Sequence, residues 1–325
     1  MLLDKIFTIN DSKAFENVAL QIFNYQYENC TLYYDWINAR RINVNSVSHV
    51  HQIPFLPIEF FKSNKIIDRN YSAEIVFKSS GTTASTVSKH YVSTVQLYEK
   101  SFVESFTKNY GNPCEYCFLA LLPSYLEREG SSLIYMMQHF ITKSKYPQSG
   151  FFLYNYTDLL EQLKQCIQQK IPTILIGVSF ALLDFAENNT IDLSQLIIME
   201  TGGMKGRRKE MTREELHEIL KKRFNAEHIH SEYGMTELLS QAYSKGNGIF
   251  TTTPWMKIFI SDIYEPNKIL PLGERGIINI IDLANIHSCA FIATNDVGIL
   301  HSENTFEVLG RSDNSDIRGC NLLIS

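Results

Sequence analysis

Phe77-Lys78-Ser79-Ser80-Gly81-Thr82-Thr83-Ala84-Ser85-Thr86-Val87-Ser88-Lys89 sets one glycine among hydroxyl side chains, directly after the short apolar run Ala73 to Phe77. Gly81 permits a tight turn in which several backbone N–H groups converge on one anion, and Ser79, Ser80, Thr82 and Thr83 add donors. That chemistry suits a phosphate. The spacing is not that of the nucleoside-triphosphatase P-loop, whose G-x-x-x-x-G-K-[ST] pattern is missing. A Ser/Thr/Gly stretch standing alone is most often a solvated turn, so its meaning depends on what accompanies it. Far downstream stands Ser231-Glu232-Tyr233-Gly234-Met235-Thr236-Glu237. It offers an aromatic face, a small residue, a phosphate-directed hydroxyl and a hard carboxylate oxygen for Mg²⁺ within five positions.

Between and around these two stretches the chain alternates. Cys117–Leu122, Phe151–Tyr154, Thr173–Val178 and Leu196–Met199 have the length and apolarity of strands. Ser131–Phe140, Asp158–Gln169 and Ser179–Glu187 read as helices, and Thr212 with Glu215 forms a capping box that opens another. Such βαβα order predicts an α/β fold, a mostly parallel sheet with helices on both faces. Residues 1–70 are expected to be a helical segment ending in the proline-broken, extended Pro54–Lys62 lead-in, and 71–245 the α/β body. Residues 246–325 change to strand-like runs, Trp255–Ile263, Gly276–Ile281 and Ala290–Thr294, and are expected to form a β-rich subdomain.

Further residues fall where open α/β sheets bind ligands, at the carboxyl ends of strands. Thr201-Gly202-Gly203 follows an apolar strand, and its paired glycines let a flat ligand lie against the backbone. Ala293-Thr294-Asn295-Asp296-Val297-Gly298 ends a predicted strand with a carboxylate able to hold two ribose hydroxyls, and Gly310-Arg311 follows. Each has a plainer reading as a turn. Cys114-Glu115-Tyr116-Cys117 is a lone C-x-x-C without a second pair, a weak case for zinc or redox chemistry. His228 and His230 would share a strand face beside Glu232, where polar packing is the simpler reading than a metal.

Together these stretches resemble the adenylate-forming superfamily of acyl-CoA synthetases. More closely, Pro54-Phe55-Leu56-Pro57-Ile58-Glu59-Phe60-Phe61-Lys62 ahead of Lys78-Ser79-Ser80-Gly81-Thr82-Thr83 is similar to the acyl-protein synthetase (LuxE) family and its phenylacetate–CoA ligase cousins. The likeness runs from about Pro54 to the C-terminus. It implies the large N-terminal domain of that fold, with ATP and Mg²⁺ as its ligands. By the resemblance, Ser79, Ser80, Gly81, Thr82 and Thr83 cradle phosphate, and Gly202, Gly203, Tyr233 and Gly234 surround adenine. Thr236 and Glu237 handle phosphate and metal, and Asp296 and Arg311 hold ribose. Cys320 matches the cysteine on which the LuxE family carries its acyl group.

The implied activity is activation of a hydrophobic, fatty carboxylate as acyl-AMP, then transfer to a protein cysteine, with an acyl-reductase or acyl-carrier protein as partner. Two features depart from the pattern. Lys89 comes later than the usual lysine, and the chain stops just after Arg318-Gly319-Cys320, where full-length ligases enter a hinge and a small C-terminal domain. A phenylacetate-type CoA ligase and a non-catalytic nucleotide- or acyl-binding subunit are therefore the alternatives.

Composition narrows the classes. A net charge of −5 supplies no bulk field for nucleic acid or anionic membrane. The longest charge-free apolar run, Ile171 to Leu183, contains Pro172 and is too short to span a bilayer. No secretory signal opens the chain, and six scattered cysteines form no disulfide framework, so a cytoplasmic protein with reduced thiols is expected.

Overall fold

Three helices open the chain, α1 (Leu2–Ile6), α2 (Ser12–Asn29) and α3 (Thr31–Ala39), in a computed structural model that describes residues 2–79, 87–123, 129–203, 208 and 211–312. Then follow β1 (Leu56–Pro57), α4 (Phe60–Ser63), β2 (Ile75–Lys78), β3 (Lys89–Val92), α5 (Val95–Tyr110) and β4 (Cys117–Leu121). The central part runs α6 (Ser132–Lys143), β5 (Gly150–Phe152), α7 (Tyr156–Gln168), β6 (Thr173–Val178), α8 (Ser179–Asn188), β7 (Ile197–Thr201), α9 (Arg213–Phe224) and β8 (His230–Tyr233). The remainder is strand: β9 (Ala242–Ser244), β10 (Ile249–Thr251), β11 (Met256–Ser261), β12 (Arg275–Asp282), β13 (Phe291–Ser302) and β14 (Thr305–Arg311).

One sheet carries most of these strands, in the order β11-β12-β13-β14-β10-β9-β8-β7-β6-β4-β5. From β5 to β8 every pairing is parallel, and from β8 onward every pairing along the path is antiparallel. The boundary expected near residue 245 thus falls inside a continuous sheet, just after β9. β8 is the strand at which the two halves meet.

Strand alternation decides which helix covers which face. On β4, Phe118 stacks on Phe140 of α6 at 5.2 Å between ring centroids. Its neighbour Cys117 points the other way, its Sγ 3.9 Å from Cys166 Sγ of α7. So α6 and α7 lie on opposite faces, and the C-x-x-C pair is not a pair: Cys117 meets Cys166 rather than Cys114. Both β4 and β6 are buried along their whole length, as a parallel sheet covered on both sides requires.

The N-terminal helices pack onto the antiparallel half. Phe23 and Tyr33 bring their rings to Phe291 of β13 at 6.1 and 5.8 Å. The buried Gln26 amide donates to the carbonyls of Asn285 and Ile286, and its oxygen accepts from Ala290 N. Of the expected extended lead-in, only Leu56–Pro57 is strand, paired with β13 at the register Leu56↔Ile292. Pro57 has no N–H to continue a ladder, and the chain turns at once into α4.

α5 carries no clear apolar period in the sequence, because it buries Ser101 and Ser105 beside Tyr98, Phe102 and Phe106. One reading needs correction. β13 does not end near Asp296. It runs on to Ser302, with Asp296 paired to Arg311 of β14. Gly298 there serves close approach rather than a turn: a Cβ would strike the Glu307 carbonyl of β14 and the side chain of Ile278. Among the described residues no helix is long and apolar enough to cross a membrane.

Gly298→Ala is accordingly expected to force β13 and β14 apart and to lower stability by about 1–3 kcal/mol. A urea midpoint equal to that of the parent chain would contradict the close-approach role.

Candidate nucleotide and acyl site

Tyr233 closes β8 with its ring set against the stacked pair Phe250 and Phe306, centroids at 5.8 and 5.5 Å, so one side of it is packed before any ligand arrives. Its hydroxyl donates to Asp296 Oδ2 at 2.8 Å. Arg311 Nε donates to the other oxygen, Oδ1, at 3.3 Å. Arg311 is 77% exposed, so that ion pair orients more than it stabilises. A carboxylate accepts at about four lone-pair sites, and the two bonds leave Asp296 with capacity for a ligand.

Three residues past β8, the backbone is fixed from outside. Thr236 O accepts from His90 Nδ1 at 2.9 Å. An acceptor-only carbonyl requires the proton on Nδ1, so Nε2 of the neutral ring accepts from the Ser288 hydroxyl at 2.9 Å. Burial holds His90 neutral by lowering its pKa to about 4. Glu237 O accepts from Asn285 Nδ2 at 2.7 Å. The N–H groups of Leu239 and Ser240 donate to Asp282 Oδ2 at 3.0 and 2.9 Å, and the Ser240 hydroxyl donates to Asp282 Oδ1 at 2.6 Å.

With its main chain so tied, the Glu237 carboxyl is nearly buried, and burial pushes its pKa up while Ser88 and the Arg311 charge oppose that shift. Ser88 in turn is laced to Ser79: Ser88 N donates to Ser79 Oγ at 2.9 Å, and Ser79 N to Ser88 O at 3.0 Å. The start of the glycine loop and the Tyr233–Glu237 stretch, about 150 residues apart, therefore come to one place. Among the described residues no three His, Cys, Asp or Glu side chains gather as metal ligands. A single hard carboxylate such as Glu237 is nonetheless what Mg²⁺ needs when substrate phosphates supply its other ligands.

Directly after β7, Gly202 adopts a left-handed φ of 72°, open to glycine, and its carbonyl accepts from Ser179 Oγ at 3.3 Å. The preceding Glu200 is buried. Burial raises its pKa, yet the His217 hydrogen bond, the Arg213 charge and Ser231 outweigh that and hold it below the ordinary range. Arg213 Nε lies 3.1 Å from Glu200, and its Nη1 donates to Val308 O at 2.7 Å, linking β7 to β14.

Glu232 faces away from all of these. It accepts from Thr201 Oγ1 at 2.5 Å across the β7–β8 pair. His228 lies outside β8, and His230 Nδ1 meets the Tyr110 hydroxyl at 3.0 Å, so the two histidines do not share a strand face.

Of the residues singled out in the sequence, Ser79, Tyr233, Thr236, Glu237, Asp296 and Arg311 gather here, with Gly202, Gly203 and Gly234 at the neighbouring strand ends. Ser80, Gly81, Thr82, Thr83 and Cys320 lie outside the described residues. His90, Asp282, Asn285 and the Glu200–Arg213 pair were missed. Their roles come from pairings across many residues of chain, and no local pattern announces them.

A model of the family "acyl-protein synthetase, LuxE" matches residues 7–325. The chain belongs to the LuxE family. The match begins well ahead of Pro54, so the N-terminal helices are part of the family's unit rather than an addition to it. No curated protein sequence matches this LuxE-family chain. Among solved structures, a 2-hydroxyisobutyryl-CoA ligase in complex with 2-HIB-AMP is similar at TM-score 0.68 and 12% identity, over 93% of this chain and 68% of that one. ATP-bound MatB from Rhodopseudomonas palustris is similar at TM-score 0.55 and 14% identity, over 73% of this chain and 47% of that one. The chain thus spans about half the length of MatB, and at such identities the likeness is one of fold.

Burial pushes the Glu232 carboxyl up to about 7, against the Thr201 hydrogen bond and with the Glu200 charge. A folded-state pKa above the unfolded 4.5 means that the native state binds the extra proton. Glu232 therefore costs stability progressively as pH rises from 4.5 to about 7. Glu232→Gln should be more stable than the parent at pH 8 and gain little or nothing at pH 4, by chemical denaturation. A gain of equal size at both pH values would contradict the buried-acid assignment.

Proposed function

We propose that this chain activates a hydrophobic, fatty carboxylate with ATP and passes the acyl group to a protein thiol. The observation that carries the reading is the convergence of Asp296, joined to Tyr233 and Arg311, with the tethered Thr236–Glu237 pair at the carboxyl edge of the sheet. Family membership supports the same reading.

In the first step a carboxylate oxygen attacks the α-phosphorus of ATP. The bond to the bridging oxygen breaks, pyrophosphate leaves, and acyl-AMP remains. No protein nucleophile is required; the chain's task is to align the reactants and meet developing charge. Asp296 accepts ribose hydroxyls with the capacity that Tyr233 and Arg311 leave free, and Thr236 and Ser79 donate to phosphate. Mg²⁺, held by Glu237, neutralises phosphate charge when bound. In the second step a thiolate attacks the acyl carbonyl and AMP departs. We assign Cys320 as that thiol, and an acyl-reductase or acyl-carrier protein as the partner that takes the acyl group onward. CoA is the second candidate acceptor, favoured by the fold shared with a ligase crystallised with CoA.

Carboxylate-dependent ATP–pyrophosphate exchange tests the first step. Glu237→Gln should lower it by about 100-fold or more with the melting temperature kept; undiminished exchange would place the metal elsewhere. With labelled fatty acid, ATP and Mg²⁺, a hydroxylamine-sensitive label should appear on the protein and vanish in Cys320→Ser. Label retained in full by that variant would overturn the acyl-cysteine assignment, and label found on CoA instead would favour the ligase reading.

A further inference from the structure

Arg213 begins α9, directly after its Thr212 cap. A cation gains nothing from the positive end of a helix dipole, so the helix does not explain the residue. Its contacts lie elsewhere. Nε donates to Glu200 Oε1 at 3.1 Å, and Nη1 donates to the Val308 carbonyl at 2.7 Å. The guanidinium carbon stands 5.0 Å from the centroid of the Phe250 ring.

These contacts belong to distant parts of the sheet. Glu200 is on β7 and Val308 on β14, and β10, β9 and β8 stand between them in the strand order. Four strand spacings amount to about 19 Å in a flat sheet. The sheet must curl for one guanidinium to reach both, and Arg213 closes that curl. With Arg213 24% exposed and Glu200 4%, the ion pair is shielded from water more than a surface pair would be.

Beyond each contact lies a group of the proposed nucleotide site. Ser179 Oγ is 3.1 Å from Glu200 Oε2 and 3.3 Å from the Gly202 carbonyl, sharing its hydroxyl between them. Val308 stands three residues before Arg311, which is paired with Asp296. Phe250 stacks on Phe306, and both rings pack against Tyr233, whose hydroxyl donates to Asp296.

We propose that Arg213 is a positioning residue for the nucleotide, bracing the β7 end at Gly202 against the Asp296–Arg311 pair on β13 and β14. It acts through Glu200, Val308 and Phe250. The inference rests on the adenylation reading and adds to it the residue that sets the width of the nucleoside side of the site.

Titration calorimetry with AMP and, separately, with Mg²⁺-pyrophosphate tests it. Arg213→Lys keeps a cation beside Glu200 but lacks the planar fork that reaches Val308 as well. It should bind AMP about tenfold more weakly than the parent chain, the size of one charged hydrogen bond, and pyrophosphate as tightly. In pyrophosphate exchange its KM for ATP should rise by a similar factor while its KM for the acid stays the same. Should Arg213→Lys fail to fold, Glu200→Gln, which removes the ion pair and keeps an acceptor for Ser179, reports the same split. A brace with no bearing on the nucleotide would lower the melting temperature and leave the AMP affinity of the folded protein unchanged. That result, or equal losses for AMP and pyrophosphate, would overturn the proposal. A parent chain that binds no adenine nucleotide at all would overturn the adenylation reading itself and this inference with it.

Discussion

Asp282 is a carboxylate with no exposed surface, and it survives there because four donors surround it: Leu239 N, Ser240 N, the Ser240 hydroxyl and Ala284 N. Unsatisfied, such a group would cost several kcal/mol; saturated, it becomes an anchor. Burial pushes its pKa up, and those hydrogen bonds pull it back. Ser240 extends the anchor by accepting from Trp255 Nε1 at 2.9 Å. Asn285, three residues on, takes the carbonyl of Glu237 and the N–H of Leu239. The segment carrying Thr236 and Glu237 thus hangs from the end of β12 and the turn that follows it. Its main chain is fixed from outside, and its Glu237 carboxyl meets Ser88.

β8 organises what lies on either side of that segment. Odd positions of the strand, Ser231 and Tyr233, face the Glu200–Arg213–His217 network and Asp296. The even position Glu232 faces Thr201 and Tyr243. A strand of four residues thereby presents two faces of different chemistry, with Gly234 directly after it. The parallel half of the sheet supplies the open carboxyl edge, and the antiparallel half supplies Asp296 and Arg311 through one register, Asp296↔Arg311. Neither half holds the whole set.

Local signals in the chain revealed a good deal of this. Thr173–Val178 is a strand with the bounds that its apolar run predicts, and the Thr212–Glu215 capping box closes reciprocally at 3.2 and 2.8 Å. These are short-range effects, set by side-chain period and by hydroxyl and carboxylate caps. What escaped was of another kind. Serines on the buried face of α5 hide its period. The glycine of Asp296-Val297-Gly298 reads as a turn, whereas it permits two strands to touch. His90, Asp282 and Asn285 act on residues 146, 43 and 48 positions away, and only the folded sheet brings those distances down to a hydrogen bond. Glu232 was legible as a carboxylate beside Tyr233; that it is buried and bonded to Thr201 across the β7–β8 pair was not.

The central claim is that the Tyr233–Asp296 and Thr236–Glu237 groups serve a reaction in which a carboxylate displaces pyrophosphate from ATP. Heavy oxygen placed in the carboxylate of the acid follows that bond directly. If acyl-AMP forms and a thiol then discharges it, one labelled oxygen per turnover must be recovered in the phosphate of AMP, by mass spectrometry, and none in pyrophosphate. AMP without the label, or label in inorganic phosphate instead, would show that the carboxylate never attacks the α-phosphorus and would contradict the account.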